Sequence, residues 1–325
     1  MSSPEVIDVH AHFFPKSFID LLQKRNMLRE ESGRVMVKWG SKRSVAMRRE
    51  HFDLGIRLKE LEKRNFATME ILSISIPFIH FLSIDEQVKI ARSINNEMAE
   101  ISRKYPSKFR CLGILPLGDE EVMMEEAERS SEELGLVGFI FGTGIGQRSL
   151  ADYGEALKAL SKINKPIFIH PGTLPLDSIL EEPARVGSLV SYIFETTYVI
   201  SRLVLEGLLN GTNMKVIVPH GGGFIPYQVG RIDLGFTGAT GQTGTRSKPS
   251  EIFKKLYYDT VVYTEDSLNL LLRFAGKDNV IFGSDYPYDL GRPELIKREL
   301  DSIEIPETTR RQIFYTNAIR LFEIE

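Results

Sequence analysis

The sequence predicts a (β/α)8 barrel, also called a TIM barrel, on the strength of three observations. Eight short apolar runs rich in β-branched residues recur along the chain. Most of these runs are continuous rather than alternating, as is typical of strands buried on both faces of a parallel sheet. Segments with helical spacing lie between them, and 325 residues with 42% hydrophobic and 26% charged side chains suffice for one such barrel. We therefore expect a single domain over residues 1–325.

The predicted strands cover residues 5–10, 69–76, 109–117, 136–141, 166–170, 214–220, 256–262 and 279–285. The predicted helices cover residues 85–104, 119–134, 150–163, 185–209, 265–275, 292–303 and 306–322. In the first of these helices the apolar residues fall on one face, and Asp85 is a candidate N-cap. An open doubly wound sheet is the main alternative, but no glycine-rich dinucleotide loop follows the first strand.

The segment 33–52 interrupts the alternation between the first two predicted strands. Its RVMVKW run alternates like one strand of a hairpin, and Gly40-Ser41 resembles a turn. The segment holds the only tryptophan, Trp39, and six basic residues against one acidic residue before position 51. Two interpretations stay open: a solvated loop, or a basic lid over an anionic substrate.

The composition excludes several classes of protein. A formal net charge of −3 and a pI near 6.2 give no global basic field for nucleic acid or an anionic membrane. A single cysteine, Cys111, excludes an intramolecular disulfide and a cysteine-rich zinc site. No apolar run is long enough to span a bilayer, and the first 15 residues lack the features of a secretory signal. We expect a soluble, cytoplasmic protein with no nucleic-acid or membrane partner.

Polar side chains stand at the C-terminal ends of the predicted strands. His10, His170 and His220 each end a strand, and Asp285 ends the eighth. His12 shares the face of His10 because side chains alternate along a strand. In a (β/α)8 barrel these ends converge on one mouth, where active sites are built. Imidazole and carboxylate are ligands for a borderline divalent cation such as Zn²⁺, and three imidazoles with one carboxylate leave room for a water.

Five motifs give the chain a resemblance to a known family. They are DVHAHFFP (8–15), FIHPG (168–172), FETT (194–197), PHGGGFIPYQVGRID (219–233) and GSDYPYDLG (283–291). In this order and spacing they resemble the amidohydrolase-related decarboxylases of the amidohydrolase superfamily, most closely the aminocarboxymuconate-semialdehyde decarboxylases. The resemblance spans nearly the whole chain.

The resemblance implies a role for each matching residue. One divalent metal ion, zinc in the first place and manganese as the alternative, would be bound by His10, His12, His170 and Asp285. It implies that His220 is not a ligand but an acid/base beside the metal-bound water. Two schemes stay open: His220 takes a proton from that water, or the metal holds the substrate and Asp285 protonates the carbon.

The resemblance also implies substrate and partner contacts. An arginine of the insertion, Arg43 with Arg48 as the alternative, would bind a carboxylate of the substrate. Arg231 would reach into the site of a neighbouring subunit, which implies a homodimer. The family's tryptophan near FETT is absent from SYIFETT, so Tyr192 or Phe194 would fill its place.

The predicted function is metal-dependent, non-oxidative decarboxylation of a small, anionic, unsaturated or aromatic carboxylic acid. The fourth predicted strand, LVGFIF, has no lysine. The carbamylated bridging ligand of two-metal members of the superfamily is therefore absent, which favours a single ion. Hydrolysis of a lactone or amide on the same barrel is the alternative.

Overall fold

The computed structural model describes residues 5–31, 33–39, 43–66, 68–145, 148–172, 186–238 and 248–324. In chain order its strands are β1 (Val6–His12), β2 (Leu28–Glu31), β3 (Arg34–Trp39), β4 (Arg43–Met47), β5 (Thr68–Ser73), β6 (Phe109–Ile114), β7 (Gly138–Gly142), β8 (Gly144–Ile145), β9 (Arg148–Ser149), β10 (Ile167–His170), β11 (Val216–Val218), β12 (Tyr257–Asp259) and β13 (Val280–Ile281). Its helices are α1 (Lys16–Lys24), α2 (Leu54–Lys63), α3 (Ile84–Lys104), α4 (Glu120–Glu128), α5 (Gly154–Ala159), α6 (Tyr192–Leu205), α7 (Ile225–Gly238), α8 (Pro249–Phe253), α9 (Glu265–Ala275), α10 (Pro293–Ser302), α11 (Glu307–Arg311) and α12 (Asn317–Phe322).

Eight parallel strands form the central sheet in the order β1-β5-β6-β7-β10-β11-β12-β13. The ring closes because β1 also hydrogen-bonds to the segment after β13. The N–H of Val9 donates to the Phe282 carbonyl at 2.9 Å, and the N–H of Asp285 donates to the His10 carbonyl at 2.8 Å. The predicted (β/α)8 barrel is confirmed, and each predicted strand overlaps one of these eight.

The barrel strands are buried on both faces, which explains their continuous apolar runs. In β10, Ile167 and Ile169 belong to an apolar cluster that includes side chains of α6 and α9. Phe168, between them, belongs to a second cluster with Ile140 and Ile217 of the neighbouring strands. Alternate side chains therefore enter two different apolar layers, and no polar face remains.

Helix α3 begins one residue before its predicted start. Its N-cap is Ser83, whose backbone N–H and hydroxyl both donate to the Glu86 carboxylate, at 3.4 and 3.2 Å. The prediction of Asp85 as the N-cap was wrong, because Ser83, two residues earlier, forms a capping box with Glu86. Asp85 instead lies in the first turn, where a carboxylate favours the helix dipole.

The insertion forms part of a three-stranded antiparallel sheet, β2-β3-β4. The predicted hairpin strands are present, with Val37 opposite Val45, whereas β2 was not predicted. The predicted turn at Gly40-Ser41 lies outside the described residues. Val37 and Trp39 are buried in the same apolar cluster as α1, so one face of this small sheet packs on the barrel. Among the helices that the structure describes, none has both the length and the hydrophobicity needed to cross a bilayer.

Candidate metal centre and active site

Four side chains, from strands β1 and β10 and from the loop after β13, meet at the mouth of the barrel. Their ligand atoms all lie within 4.8 Å of one another: His10, His12, His170 and Asp285. The Nε2 atoms of His10 and His12 are 3.1 Å apart, and each lies 3.2 Å from Asp285 Oδ1. His170 Nε2 approaches the same oxygen at 4.0 Å. Three imidazole nitrogens and one carboxylate oxygen therefore surround a common centre.

The outer hydrogen bonds of two imidazoles aim their lone pairs at this centre. His10 Nδ1 lies 2.6 Å from Asp259 Oδ2, and His170 Nδ1 lies 3.0 Å from the Pro171 carbonyl. Because ionised carboxylates and carbonyls can only accept hydrogen bonds, each Nδ1 carries a proton, and Nε2 is the ring nitrogen that would bind a metal ion. This is the arrangement that metal-bound histidines show in proteins.

Among the described residues, two of the atoms that face the centre have no hydrogen-bond partner, and a cation bound there would interact with both. Within the described ranges, His170 Nε2 and Asp285 Oδ1 are buried polar atoms without a hydrogen bond, and leaving such acceptors unpaired is costly. Ligand atoms around a tetrahedral zinc ion, with bonds of about 2.0–2.1 Å, lie about 3.3 Å apart. The separations of 3.1 and 3.2 Å are close to that value. The donor set and its spacing fit a divalent metal ion.

A buried arginine holds the end of β1 in place. Arg57 of α2 is fully buried, and its Nη1 donates to the His12 carbonyl at 3.1 Å. Its Nε donates to Glu70 Oε2 of β5 at 2.7 Å. The Ser73 hydroxyl lies 3.2 Å from His12 Nδ1. The backbone and the ring of His12 are thus both fixed by neighbours outside the centre.

Burial and the nearby carboxylates shift the pKa values of the histidines in opposite directions. Burial lowers the pKa of His170 to about 3 and that of His12 to about 4, so both rings are neutral at pH 7. Burial also acts to lower the pKa of His10, but the Asp285 and Asp259 carboxylates outweigh it and raise that pKa to about 10, so a metal ion bound at Nε2 would replace the second proton of this ring. Although burial opposes its ionisation, the imidazoles hold the pKa of Asp285 well below its usual range. The site therefore concentrates negative charge where a cation would bind.

His220 lies beside the four-residue cluster rather than in it. It follows β11, and its Nε2 is 3.7 Å from Asp285 Oδ2, the carboxylate oxygen away from the other three imidazoles. The turn after it requires glycine: Gly221 has φ +59°, and a Cβ there would lie 2.2 Å from Val262 Cγ1. The turn holds the imidazole of His220 next to the free side of Asp285.

The predicted substrate contacts whose side chains the structure describes are not members of the four-residue cluster. The side chain of Arg43 falls outside the described residues. Arg48 pairs with Asp289, Nη2 to Oδ1, at 3.0 Å. Arg231 is exposed on α7, and Phe194 is 44% exposed on α6. Their roles toward a substrate stay predictions.

Two residues near the centre were missed by the sequence reasoning. Asp259, which contacts His10, ends β12 in the structure, but the predicted strand 256–262 placed it in the interior of a strand, so its polarity did not single it out. His51 of the insertion is fully buried, and its ring centroid lies 4.7 Å from that of Tyr288, whose ring lies 5.3 Å from that of His12. Nothing in the local sequence around His51 indicates that contact.

The comparisons with known proteins agree with this geometry. The profile of the Amidohydrolase family matches residues 7–324, nearly the whole chain. The chain belongs to the amidohydrolase family. As a member of that family it is 26% identical to the 2-amino-3-carboxymuconate-6-semialdehyde decarboxylase of Dictyostelium discoideum, over 98% of this chain and 92% of that protein. The predicted resemblance to amidohydrolase-related decarboxylases is confirmed.

Solved structures share the fold of this amidohydrolase. The IDCase of Metarhizium anisopliae in apo form has a TM-score of 0.86 at 21% identity, covering 98% of this chain and 97% of that one. A dihydroxybenzoic acid decarboxylase from Polaromonas, with bound manganese and the inhibitor 2-nitroresorcinol, has a TM-score of 0.82 at 23% identity. It covers 99% of this chain and 97% of that one.

Proposed function

We propose that this amidohydrolase is a metal-dependent, non-oxidative decarboxylase, a carboxy-lyase, that acts on a small unsaturated or aromatic carboxylic acid. The observation that carries the proposal is the convergence of three imidazole nitrogens on Asp285 Oδ1, with His220 Nε2 beside Asp285 Oδ2. The names of the relatives support the reaction class, because they are decarboxylases of unsaturated or aromatic acids.

We propose that His10, His12, His170 and Asp285 hold one divalent ion, zinc in the first place and manganese as the alternative. Three nitrogen donors and one oxygen donor at close spacing favour zinc. The manganese bound in the Polaromonas decarboxylase favours the alternative. When bound, the ion supplies a positive charge that stabilises negative charge developing on the substrate.

His220 and Asp285 are proposed to move the proton of the reaction. Decarboxylation breaks the bond between the carboxylate carbon and its neighbour, leaves the electron pair on that neighbour, and replaces CO2 with a proton. Their 3.7 Å separation allows either group to hold that proton next to the substrate. Whether His220 or Asp285 delivers it to carbon corresponds to the two schemes predicted above.

We propose that the insertion 33–52 covers the mouth and that its Arg43, or Arg48 as the alternative, binds a carboxylate of the substrate. The pair between Arg48 and Asp289 supports this location, because Asp289 lies four residues after Asp285 in the loop that carries the metal ligand. Guanidinium binds carboxylate in a bidentate manner and stays charged at any working pH. The substrate is therefore proposed to be anionic.

We further propose a homodimer in which Arg231 reaches the neighbouring site. Tyr227 and Leu234 are 78% and 73% exposed, and they lie four and three residues from Arg231 on the same face of α7. Val190, two residues before α6, and Phe194 and Tyr198 on α6 are also exposed, at a spacing of four residues. Exposed apolar side chains grouped in this way are typical of protein interfaces. Phe194 is proposed to contact the substrate at this boundary.

The test is CO2 release by protein that has been stripped with a chelator and reloaded with Zn²⁺ or Mn²⁺. The substrates are 2-amino-3-carboxymuconate-6-semialdehyde, 2,6-dihydroxybenzoate and related acids, with a matched set of lactones. We expect CO2 release from one of the acids, its loss on chelation and its return on reloading. Ring opening of a lactone without CO2 release from any acid would assign the hydrolase alternative instead.

A further inference from the structure

We propose that Asp259 is a positioning residue whose single carboxylate fixes both the proton on the metal ligand His10 and the turn that carries His220. The inference rests on the proposed metal centre but not on the identity of the substrate. Neither the sequence motifs nor the family match assigns a role to this residue.

The two oxygens of Asp259 serve two different elements. Oδ2 lies 2.6 Å from His10 Nδ1, across 249 residues of sequence. Oδ1 accepts the N–H of Gly221 at 2.9 Å and that of Val261 at 3.2 Å. The carboxylate is fully buried, so water does not compete for these bonds. One side chain therefore connects β1 with the turn after β11.

The contact between His10 and Asp259 depends on a glycine. A Cβ at Gly283 would lie 2.8 Å from His10 Cβ and 2.9 Å from Asp259 Cβ, closer than real Cβ atoms approach. The hydroxyl of Thr260 holds this glycine by two bonds of 3.1 Å, to its carbonyl and to its N–H. The backbone after β13 is thus shaped to let the imidazole and the carboxylate meet.

The carboxylate decides which nitrogen of His10 is free. Because an ionised carboxylate can only accept a hydrogen bond, it keeps a proton on Nδ1, so that Nε2, which faces His12 Nε2 and Asp285 Oδ1, is the nitrogen available to a metal ion. An asparagine would behave differently. Its oxygen would be held by the two N–H groups of Gly221 and Val261, so its NH2 group would face His10 Nδ1. That contact favours the tautomer with the proton on Nε2, where the metal would bind.

The control of the His10 tautomer by Asp259 predicts an unusual order of metal affinities among the variants. Asp259→Asn is the conservative change, yet it should weaken metal binding more than Asp259→Ala, which leaves both tautomers of His10 available. A purely structural role predicts the opposite order, because alanine leaves two buried N–H groups unpaired and asparagine does not. The two explanations therefore predict opposite orders of metal affinity for Asp259→Asn and Asp259→Ala.

The experiment measures the Kd for Zn²⁺ by chelator competition, and the visible spectrum of the Co²⁺-loaded protein, for the full chain and its variants. We expect Asp259→Asn to bind about 10–100-fold more weakly than the unmodified chain, with Asp259→Ala between them. The matched control is Asp8→Asn. Asp8 is also a fully buried carboxylate, but it bonds the Ser284 hydroxyl and the His10 backbone N–H rather than the imidazole. We expect this control to keep a Kd within about threefold of the unmodified chain, because it leaves the tautomer of His10 alone.

The contact between Asp259 and the turn at Gly221 predicts a second measurable effect, on turnover per bound metal. In Asp259→Ala the N–H of Gly221 loses its acceptor, so turnover per bound metal should fall on the order of tenfold as His220 shifts. In Asp259→Asn the acceptor remains, so turnover per bound metal should stay closer to that of the unmodified chain. Metal loss in one variant and turnover loss in the other would support the double role.

The outcomes separate failure of this inference from failure of the metal centre. If the unmodified chain binds metal and Asp259→Asn binds it equally well, or less weakly than Asp259→Ala, the inference is overturned. If Asp259→Ala does not fold, the comparison of Asp259→Asn with Asp8→Asn decides. If the unmodified chain itself binds no Zn²⁺ or Co²⁺, the metal centre fails, and this inference fails with it.

Discussion

His220 differs from the other three imidazoles at the barrel mouth in how its backbone is held. It adopts φ 53° in a turn, whereas His10 and His12 lie on β1 and His170 ends β10. A non-glycine residue in this left-handed region of φ is strained, and such backbone strain is common at functional sites. Its Nδ1 is buried with no hydrogen bond in the part of the chain that the structure describes. His220 is thus set apart from the three ligand imidazoles in backbone conformation as well as in position.

Replacing His220 should therefore stop turnover without removing metal. For His220→Asn we expect kcat to fall about 10²–10⁴-fold, the usual contribution of a general acid or base. Metal content should stay that of the unmodified chain, because the four ligand atoms do not include this residue. The check is steady-state kinetics together with metal analysis of the same sample. Loss of the ion along with activity would make His220 a ligand.

Polarity at strand ends was the signal in the sequence that located the site. His10, His170 and Asp285 interrupt or end apolar runs, so their convergence followed from the barrel alone. Asp259 carries the same signal but lies inside the predicted run 256–262, where it looked like part of the strand. The tautomers of the histidines depend on atoms such as the Pro171 carbonyl, whose position no sequence pattern specifies.

Among the elements, predictions succeeded where local patterns agreed with tertiary packing. Helix α9 has its predicted bounds, with Thr264 as N-cap accepting the N–H of Ser267 at 3.3 Å. Strand β2 was missed because it reads LREE and three of its four residues are exposed, so it has no apolar alternation. It is a strand only because β3 offers it a partner.

The junction of α2, β1 and β5 depends on Arg57, so Arg57→Met should destabilise the fold. Among the described residues, the change leaves Glu70, which is fully buried, with only Arg64 as a charged partner, at 3.1 Å. Removing one member of a buried ion pair costs about 3–5 kcal/mol of unfolding free energy. The measurement is urea unfolding of metal-free protein.

The matched control is Arg49→Met. Arg49 pairs with Asp53 on the surface, with 71% of its side chain exposed, and such pairs contribute about 0–1 kcal/mol. Equal losses of stability in both variants would contradict the role given to Arg57.

At the scale of the whole molecule, closure of the barrel brings His10 to Asp285 across almost the entire chain. The N–H of Asp285 donates to the His10 carbonyl at 2.8 Å, so the bond that closes the ring also joins two metal ligands. The order of strands along the chain was enough to predict this convergence. The substrate arginines could not be placed in the same way, because Arg43 and Arg48 lie in an insertion whose path the barrel does not fix.

The shared site of the proposed homodimer predicts complementation between two damaged chains. Arg231→Ala should raise KM about 10–100-fold, as expected for a lost bond between charged groups, with metal content unchanged. His220→Asn should have low kcat. In a mixed dimer, one site combines His220 from one chain with Arg231 from the other. Mixing the variants under conditions that exchange subunits should restore about a quarter of the full activity, measured below the KM of Arg231→Ala. If subunit exchange is demonstrated and activity still does not recover, Arg231 does not reach the site of the neighbouring subunit.

The central claim, that three histidines and one aspartate gather around a single ion, is tested most directly by metal stoichiometry. Protein stripped with a chelator, incubated with Zn²⁺ or Mn²⁺ and desalted should retain about one ion per chain, as four ligands around one centre require. His170→Ala and Asp285→Ala should each lose that ion while remaining folded by circular dichroism. Full retention of the ion in both variants, or none in the unmodified chain, would contradict the account.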